Sequence, residues 1–313
     1  MNCRLVVGGL TSYLPLPAKK PTVVGGPTEG AYCYSVWLRH LSLICRDVPG
    51  FRPRVVAEFG PGDSMGVGIA ALLSVAQEYY CVDIVDHTSV ATNERVLDEL
   101  VQLFRTRTPI PDQTALPRLY PRLNSYEFPG GILDSEVLQG HLTDSFVNRI
   151  REAIRAQPGK QELVHYIWPW TRAAVPANSV DLVFTQVALQ DMDHTRGRDD
   201  LYDNLEAMAN WVRPGGLMSH QIDFSCAGGE LWNHHWSYGS FTWKLIRGNR
   251  PYYKNRAPLS EYRRLLEKLG FEVVAMHPVL SEGLPRQKLS QPFRELSDDD
   301  LRTRAALVVA IKR

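Results

Sequence analysis

Residues 54–66 read RVVAEFGPGDSMG and join a short apolar run to a glycine-rich turn. The stretch SMGVGIAALLSVAQ at 64–77 overlaps that turn and has the length and composition of a buried helix. The next segment repeats this order of strand and helix: the apolar run YYCVDIV at 79–85 is followed by the amphipathic stretch NERVLDELVQLF at 93–104. A repeated strand–helix unit predicts a parallel, doubly wound α/β sheet.

The rest of the chain extends this pattern to seven strands. We therefore predict a Rossmann-like α/β fold, with a seven-stranded, mostly parallel sheet, helices on both faces and an antiparallel terminal strand. Apolar runs predict the further strands at 163–167, 179–184, 217–223, 271–277 and 305–313, and periodic stretches predict helices at 200–212 and 260–270.

Two segments fall outside the repeated unit. Residues 1–30 are rich in glycine and proline and predict an extended or loosely ordered arm, which an amphipathic helix at 32–46 follows. Prolines and a glycine pair interrupt residues 105–162, which we interpret as an insertion that caps the site. The predicted organisation is thus an N-terminal arm and helix over 1–53 and a core over 54–313 with an insertion at about 105–162.

Charge and cysteine content narrow the possible functions. The chain has 35 basic and 34 acidic residues, so it offers no broad basic field for a nucleic-acid backbone. Its five cysteines include no C-x-x-C pair, which argues against a disulfide framework or a thiolate zinc site and fits a reducing compartment. No run of about 18 apolar residues occurs, so no membrane span is predicted. We expect a cytoplasmic protein.

The glycine turn differs from a dinucleotide-binding turn in two ways. Gly66 stands one place later than the third glycine of G-x-G-x-x-G, and Asp63 sets a carboxylate where a pyrophosphate would lie. A negative charge there opposes a nucleotide diphosphate, as an NAD-dependent oxidoreductase would need, and tolerates a cationic ligand.

This turn resembles motif I of the class I S-adenosylmethionine-dependent methyltransferases, an acid followed after one residue by G-x-G. The resemblance rests on Glu58, Gly60, Gly62 and Gly66, and a WVRPGG turn ahead of a strand at 217–223 adds to it. It implies that S-adenosylmethionine is the cofactor, that the backbone at Gly60, Pro61 and Gly62 passes close to its methionine portion, and that Glu58 helps to hold its amino group.

Other cofactor contacts are predicted at the ends of the following strands. Asp83 stands 23 positions beyond Gly60, near the spacing of about 20 expected for an acid that bonds ribose hydroxyls, and Asp86 is the alternative. Trp168, after the third strand, could lie against the adenine or could simply belong to the core. The resemblance places the end of the fourth strand near the transferred methyl group, namely Thr185, Gln186 and the following Asp191-Met192-Asp193-His194.

The acceptor is expected to bind to residues 220–256, which are rich in aromatic and imidazole side chains. Aromatic faces with polar edges suit a sugar ring. The region resembles methyltransferases of polysaccharide and glycan biosynthesis, although a small-molecule natural product or a lipid is nearly as compatible. Methyltransferases that act on nitrogen carry an N-P-P-Y sequence after the fourth strand. This chain lacks that sequence there, which favours an oxygen acceptor. The predicted acceptor-binding residues are Asp223, His234, Trp236, Tyr238 and Arg256.

Methyl transfer to a hydroxyl requires a base, and histidine is the usual choice. We favour His220 and His235, with His194 as a further candidate, because the end of the fifth strand and its following loop border the acceptor side. A divalent metal could acidify the hydroxyl instead, but the histidines and acids lack a diagnostic ligand spacing, so no metal site is assigned. A methyltransferase-like subunit that binds the cofactor without turnover is a second alternative.

Overall fold

A seven-stranded sheet lies at the centre of the computed structural model, which describes residues 3–14, 27–156, 162–192, 200–226, 231–250 and 253–313. The strand order is β3-β2-β1-β4-β5-β7-β6, and β7 runs antiparallel to both neighbours while the other pairings are parallel. This confirms the predicted fold class. The strands are β1 Val55–Phe59, β2 Glu78–Val82, β3 Val164–Ile167, β4 Val180–Gln186, β5 Val212–Asp223, β6 Phe271–Leu280 and β7 Thr303–Lys312.

Helices cover both faces of the sheet, so strands such as β1 are apolar on both sides. One core contains residues of α2, α3, α4 and α6, and the other contains residues of α7 and α9. The helices are α1 Cys3–Thr11, α2 Gly30–Asp47, α3 Gly66–Leu72, α4 Val90–Arg105, α5 Ser135–His141, α6 Asp144–Arg155, α7 Asp200–Trp211, α8 Ser240–Arg247, α9 Leu259–Lys268, α10 Gln291–Arg294 and α11 Asp298–Arg302.

Element boundaries differ from prediction at two places near the site. Helix α3 ends at Leu72 rather than near residue 77, because the Ser74 hydroxyl bonds the carbonyls of Ala70 and Ala71 at 2.8 and 3.0 Å. Strand β5 begins at Val212, five residues earlier than predicted, since Val212 pairs with Val180 ahead of an irregularity in the register.

Residues 3–11 are helical, within the segment where an extended arm was predicted. Helix α1 packs against α8, and Gly9 permits the approach, because a Cβ there would lie 1.9 Å from the carbonyl oxygen of Leu245. Helix α2 packs on α3 and α4 and forms part of the main core. Among the described residues, no helix combines the length and hydrophobicity needed to cross a membrane.

Two parts of the insertion between β2 and β3 have different neighbours: α6 lies beside α4, and the segment around Tyr120 lies near the start of β7. Ion pairs Arg105–Asp144 and Arg155–Glu94 show that α6 runs antiparallel to α4. The guanidinium of Arg304, at the start of β7, lies 5.5 Å from the ring centroid of Tyr120. This part of the insertion therefore reaches the end of the sheet where β5 ends and β7 begins, and the predicted capping role stays a prediction.

Candidate active site

The strand order reverses direction between β1 and β4, which marks the crevice where open α/β sheets bind ligands. The loops that leave these two strands meet there. A Cβ added to Gly60 would lie 3.0 Å from the Cβ of Ala188, two residues after the end of β4. The fold thus places the glycine turn and the first residues after β4 next to each other at the switch point of the sheet.

The glycine turn has a backbone conformation that favours glycine at two positions. Gly60 and Gly62 have φ of +75° and +73°, in the left-handed region, and the Gly60 amide donates to the Val82 carbonyl at 3.0 Å. The chain just before α2 covers this turn, since the Pro27 carbonyl accepts hydrogen bonds from the Ser64 hydroxyl and from the Cys33 thiol. No local sequence pattern indicates this cover.

Glu58 lies inside the fold, 2% exposed, at the end of β1. It accepts a hydrogen bond of 2.6 Å from the Tyr79 hydroxyl and one from the Gly68 amide, and burial raises its pKa to about 8. Gly68 makes room for this arrangement, because a Cβ there would lie 2.0 Å from the Tyr79 ring. The role of Glu58 toward a cofactor amino group stays a prediction, since these bonds tie its carboxyl group to β2 and α3.

Asp83 follows β2 directly and joins the glycine turn. Its carboxylate accepts from the Ile84 amide at 2.6 Å and from the Gly62 amide, while burial raises its pKa. The alternative acid, Asp86, accepts from the Tyr166 hydroxyl at 3.2 Å. Asp83 is therefore the acid nearer to the glycine turn, as its predicted role requires.

The two tryptophans after β3 have different surroundings. Trp168 is 42% exposed, whereas Trp170 packs edge-on against Phe59 with ring centroids 5.0 Å apart. The Trp170 amide donates to the Asp83 carbonyl at 3.0 Å, which holds this segment beside Asp83. Trp168 thus offers an aromatic face near the predicted ribose acid, and its contact with adenine stays a prediction.

Thr185 and Gln186 point to opposite faces of the sheet at the end of β4. Thr185 shares a hydrogen bond of 3.0 Å with Nδ1 of His220. Gln186 accepts from or donates to three groups: Nε2 of His40 at 3.2 Å, the Gln221 side chain at 3.3 Å and the Tyr32 hydroxyl. A buried polar network therefore links α2 to β4 and β5, and nothing in the helical pattern of α2 indicated it.

The favoured histidines lie inside the fold. His220 is 1% and His235 is 3% exposed, and burial lowers the pKa of each to about 3. Nε2 of His220 and Nδ1 of His235 have no hydrogen-bond partner within the described part of the chain. A pKa near 3 makes each imidazole a weak base, so the prediction that one of them removes the proton is untested and loses support. His194 lies outside the described residues.

The residues predicted to bind the acceptor divide into two groups. Trp236 and Arg256 are packed: Trp236 stacks on Phe293 at 5.4 Å, and the Arg256 guanidinium lies 5.0 and 4.9 Å from the rings of Trp243 and Phe293. His234 and Tyr238, whose ring centroids are 5.5 Å apart, each bury a polar atom without a partner among the described residues. The second pair offers hydrogen bonds to a ligand.

Asp223 is the last residue of β5 and lies beside the charged side chain of Lys254. Its carboxylate accepts from the Ser225 amide at 2.8 Å, and its carbonyl accepts from the Lys254 ammonium at 3.0 Å. Within the described ranges, no group of three histidine, cysteine, aspartate or glutamate side chains could hold a metal ion.

The resemblance placed the segment after β4 near the transferred methyl group, but sequence reasoning indicated neither the strain in this turn nor the charges that act on Asp191. Val187 has φ of +54°, a strained conformation for a β-branched residue, and such strain is concentrated at functional sites. The turn also carries Asp191, whose pKa is raised by burial, lowered by Lys254 and raised by Asp223. The sequence shows that residues 191–194 follow the fourth strand, but the interaction with Lys254 spans 63 residues of chain and left no local signal.

Comparison with known proteins gives limited similarity. Neither a protein-family model nor a curated protein sequence matches the chain. Similar solved structures include an S-adenosylmethionine-dependent methyltransferase from Mesorhizobium loti, with 12% identity and a TM-score of 0.42 over 89% of this chain and 98% of that one. A proposed methyltransferase of the same kind from Listeria monocytogenes has 13% identity and a TM-score of 0.40 over 88% and 98%. The cyclase SpnF has 12% identity and a TM-score of 0.39 over 88% and 80%.

Proposed function

We propose that this chain is an S-adenosylmethionine-dependent methyltransferase that methylates a hydroxyl group of a sugar or glycan-like acceptor. One observation carries the proposal: a left-handed glycine turn, tied to the acid after β2, faces a strained turn after β4 across the switch point of the sheet. Fold alone would not support an activity, so the chemistry of the turn is decisive.

The groups at the turn fit a cationic cofactor better than a diphosphate. Oδ2 of Asp63 is buried without a hydrogen-bond partner in the described residues, next to Gly62. An unpaired carboxylate oxygen favours an ammonium or sulfonium group and repels a pyrophosphate. We expect Gly60, Pro61 and Gly62 to contact the methionine portion, Asp83 to bond the ribose hydroxyls and Trp168 to cover the adenine.

When bound, S-adenosylmethionine would supply an electrophilic methyl group on a positively charged sulfur. The protein's part is to position the acceptor oxygen and to take its proton. Thr185, Gln186 and the turn after β4 lie where these events would occur. Because the polar network at Gln186 is closed by Tyr32 and His40, we expect this wall to stay rigid.

A sugar-like acceptor is supported by the polar atoms near α8. Tyr238 stacks on the Trp243 ring and His234 packs against Tyr238, and each buries a hydrogen-bonding atom. Rings with polar atoms suit a sugar face with hydroxyl edges. A small-molecule natural product or a lipid hydroxyl would use the same proton chemistry. Asp223 and Arg256 would border this region.

Two measurements test the proposal. Calorimetry should give micromolar affinity for S-adenosylhomocysteine and little heat with NAD. Incubation with methyl-labelled S-adenosylmethionine and an extract of the producing cell should then label a compound whose new methyl group is bound to oxygen. Comparable affinity for NAD, or no heat with the thioether, would overturn the central claim, while a label on nitrogen or carbon would overturn the acceptor class.

A further inference from the structure

The turn after β4, residues 187–192, is held from two sides. From β5, the Gln221 carbonyl accepts from the Val187 amide at 2.9 Å. From the segment before α9, the Asn255 amide group donates to the carbonyls of Leu189 and Met192 at 2.8 Å each, and the Asn255 backbone amide donates to the Gln190 carbonyl at 2.7 Å. Asn255 therefore fixes the position of the turn that carries Asp191.

Two opposite charges act on Asp191. Lys254, the neighbour of Asn255, acts on its carboxylate as a cation, and Asp223 at the end of β5 acts as an anion. The Asp191 carboxylate accepts a hydrogen bond from the Gln190 side-chain amide at 3.2 Å. Its charge also raises the pKa of the Tyr262 hydroxyl. Burial raises the pKa of the Asp191 carboxyl group, so its carboxylate is a stronger base than that of an exposed aspartate.

Polar atoms without partners lie in the same part of the molecule. Oε1 of Gln190, Nδ1 of His235 and Nε2 of His220 are buried and lack hydrogen bonds within the described ranges. Lys254 acts electrostatically on His235 as well as on Asp191, which places both near one cation. Leaving such atoms unpaired is unfavourable, so the region is suited to a polar ligand.

We propose that Asp191 is the catalytic residue that takes the proton of the acceptor hydroxyl, that Lys254 and Asp223 flank it with opposite charges, and that Asn255 is the residue that positions it. The inference rests on the proposed methyltransferase function. As the hydroxyl oxygen bonds the methyl carbon, the carbon–sulfur bond breaks, its electron pair stays on sulfur, and the hydroxyl proton moves to an Asp191 carboxylate oxygen. The positive charge on sulfur and the negative charge on Asp191 disappear together.

The first experiment compares the wild-type protein with Asp191→Asn. Asparagine keeps the size of the side chain but cannot take the proton, so labelled methyl transfer to the cell extract should fall at least about a hundredfold. Affinity for S-adenosylhomocysteine should stay within about threefold. Transfer within about tenfold of wild type would overturn the role of Asp191 and leave the proposed function intact, whereas a wild-type protein that does not bind S-adenosylhomocysteine would overturn both.

The second experiment uses the pH profile of transfer, which a purely structural role for Asp191 would not move. The deprotonated carboxylate is the active form, so the rate falls on the acidic side of its pKa. Lys254→Met removes the cation that lowers this pKa and should shift the acidic limb to higher pH, while Asp223→Asn removes the anion and should shift it to lower pH. The exposed Lys288→Met is the charge-matched control and should shift nothing. An acidic limb that does not move in either variant would overturn the proposal even if Asp191→Asn failed to fold.

Discussion

The proposed cofactor side and the proposed acceptor side of the crevice are formed by different kinds of structure. The proposed cofactor side uses short, nearly contiguous stretches, residues 58–66 and 83–86, and its main features are backbone conformation and the carboxyl groups of Glu58, Asp63 and Asp83. The proposed acceptor side combines the ends of β4 and β5 with residues 231–250 and 253–256 and includes buried side chains such as His220 and His235. Backbone geometry leaves a local pattern in the sequence, whereas side chains brought together from distant segments do not.

This difference predicts that changes on the cofactor side act on binding of S-adenosylhomocysteine, and that changes on the acceptor side spare it. The largest effect should come from Gly60→Val. A β-branched residue is strained at φ of +75°, and its Cβ would press on Ala188 at 3.0 Å. Calorimetry should show a loss of affinity of more than about a hundredfold.

The control for Gly60→Val is Gly131→Val. A Cβ added to Gly131 would meet no heavy atom within 4 Å, and the residue does not have a positive φ, so affinity should not change. Thermal unfolding of both variants separates loss of the pocket from loss of the fold. Normal affinity in folded Gly60→Val would mean that the cofactor binds elsewhere.

A smaller effect is expected from Asp83→Ala. Loss of hydrogen bonds to ribose hydroxyls should weaken binding of S-adenosylhomocysteine by about 1 to 3 kcal/mol, or roughly five- to 150-fold. Asp86→Ala is the matched comparison and should have less effect, since Asp86 accepts from Tyr166 instead of joining the glycine turn. A larger effect of Asp86→Ala in the same titration would transfer the ribose role to Asp86.

Glu58→Gln tests whether the buried carboxyl group makes the stability of the fold depend on pH. Burial raises the pKa of Glu58 to about 8 in the folded protein, above its value of about 4.3 in the unfolded chain. The stabilising effect is complete below the unfolded pKa and is lost as pH rises through the folded pKa, so the wild type should lose stability between about pH 4 and 8. Chemical denaturation should show a flatter pH dependence for Glu58→Gln, by one to a few kcal/mol in order of magnitude. An equally steep dependence in the variant would assign the effect to another group.

The smallest effect on cofactor binding should come from His235→Gln. Since His235 belongs to the acceptor side, affinity for S-adenosylhomocysteine should stay within about twofold while transfer to the extract acceptor declines. The same titration with Trp168→Ala, a cofactor-side change, should show the larger loss. If His235→Gln weakened cofactor binding more than Trp168→Ala did, the division of the crevice into two sides would be wrong.

The fold was largely predictable because apolar periodicity and turn residues act locally. The runs at 54–59 and 217–223 are recognisable strands without any knowledge of their neighbours, and the seven strands follow. The boundary of α3 was not predictable, since the Ser74 hydroxyl competes with the helix for backbone carbonyls. Helix α1 was missed because its packing on α8 outweighs the low helix propensity of its glycines.

The sequence by itself determined the α/β sheet, the glycine turn and the acid after β2, because each depends on residues close together in the chain. The tertiary structure alone decided that Lys254 and Asp223 act on Asp191, that Asn255 anchors its turn, and that His220 and His235 are buried with lowered pKa values. Burial and electrostatic coupling depend on distance through space, and the residues that cause them lie on separate strands and connections. The sequence gives the type of each side chain, but its pKa depends on the neighbours that surround it in the folded protein.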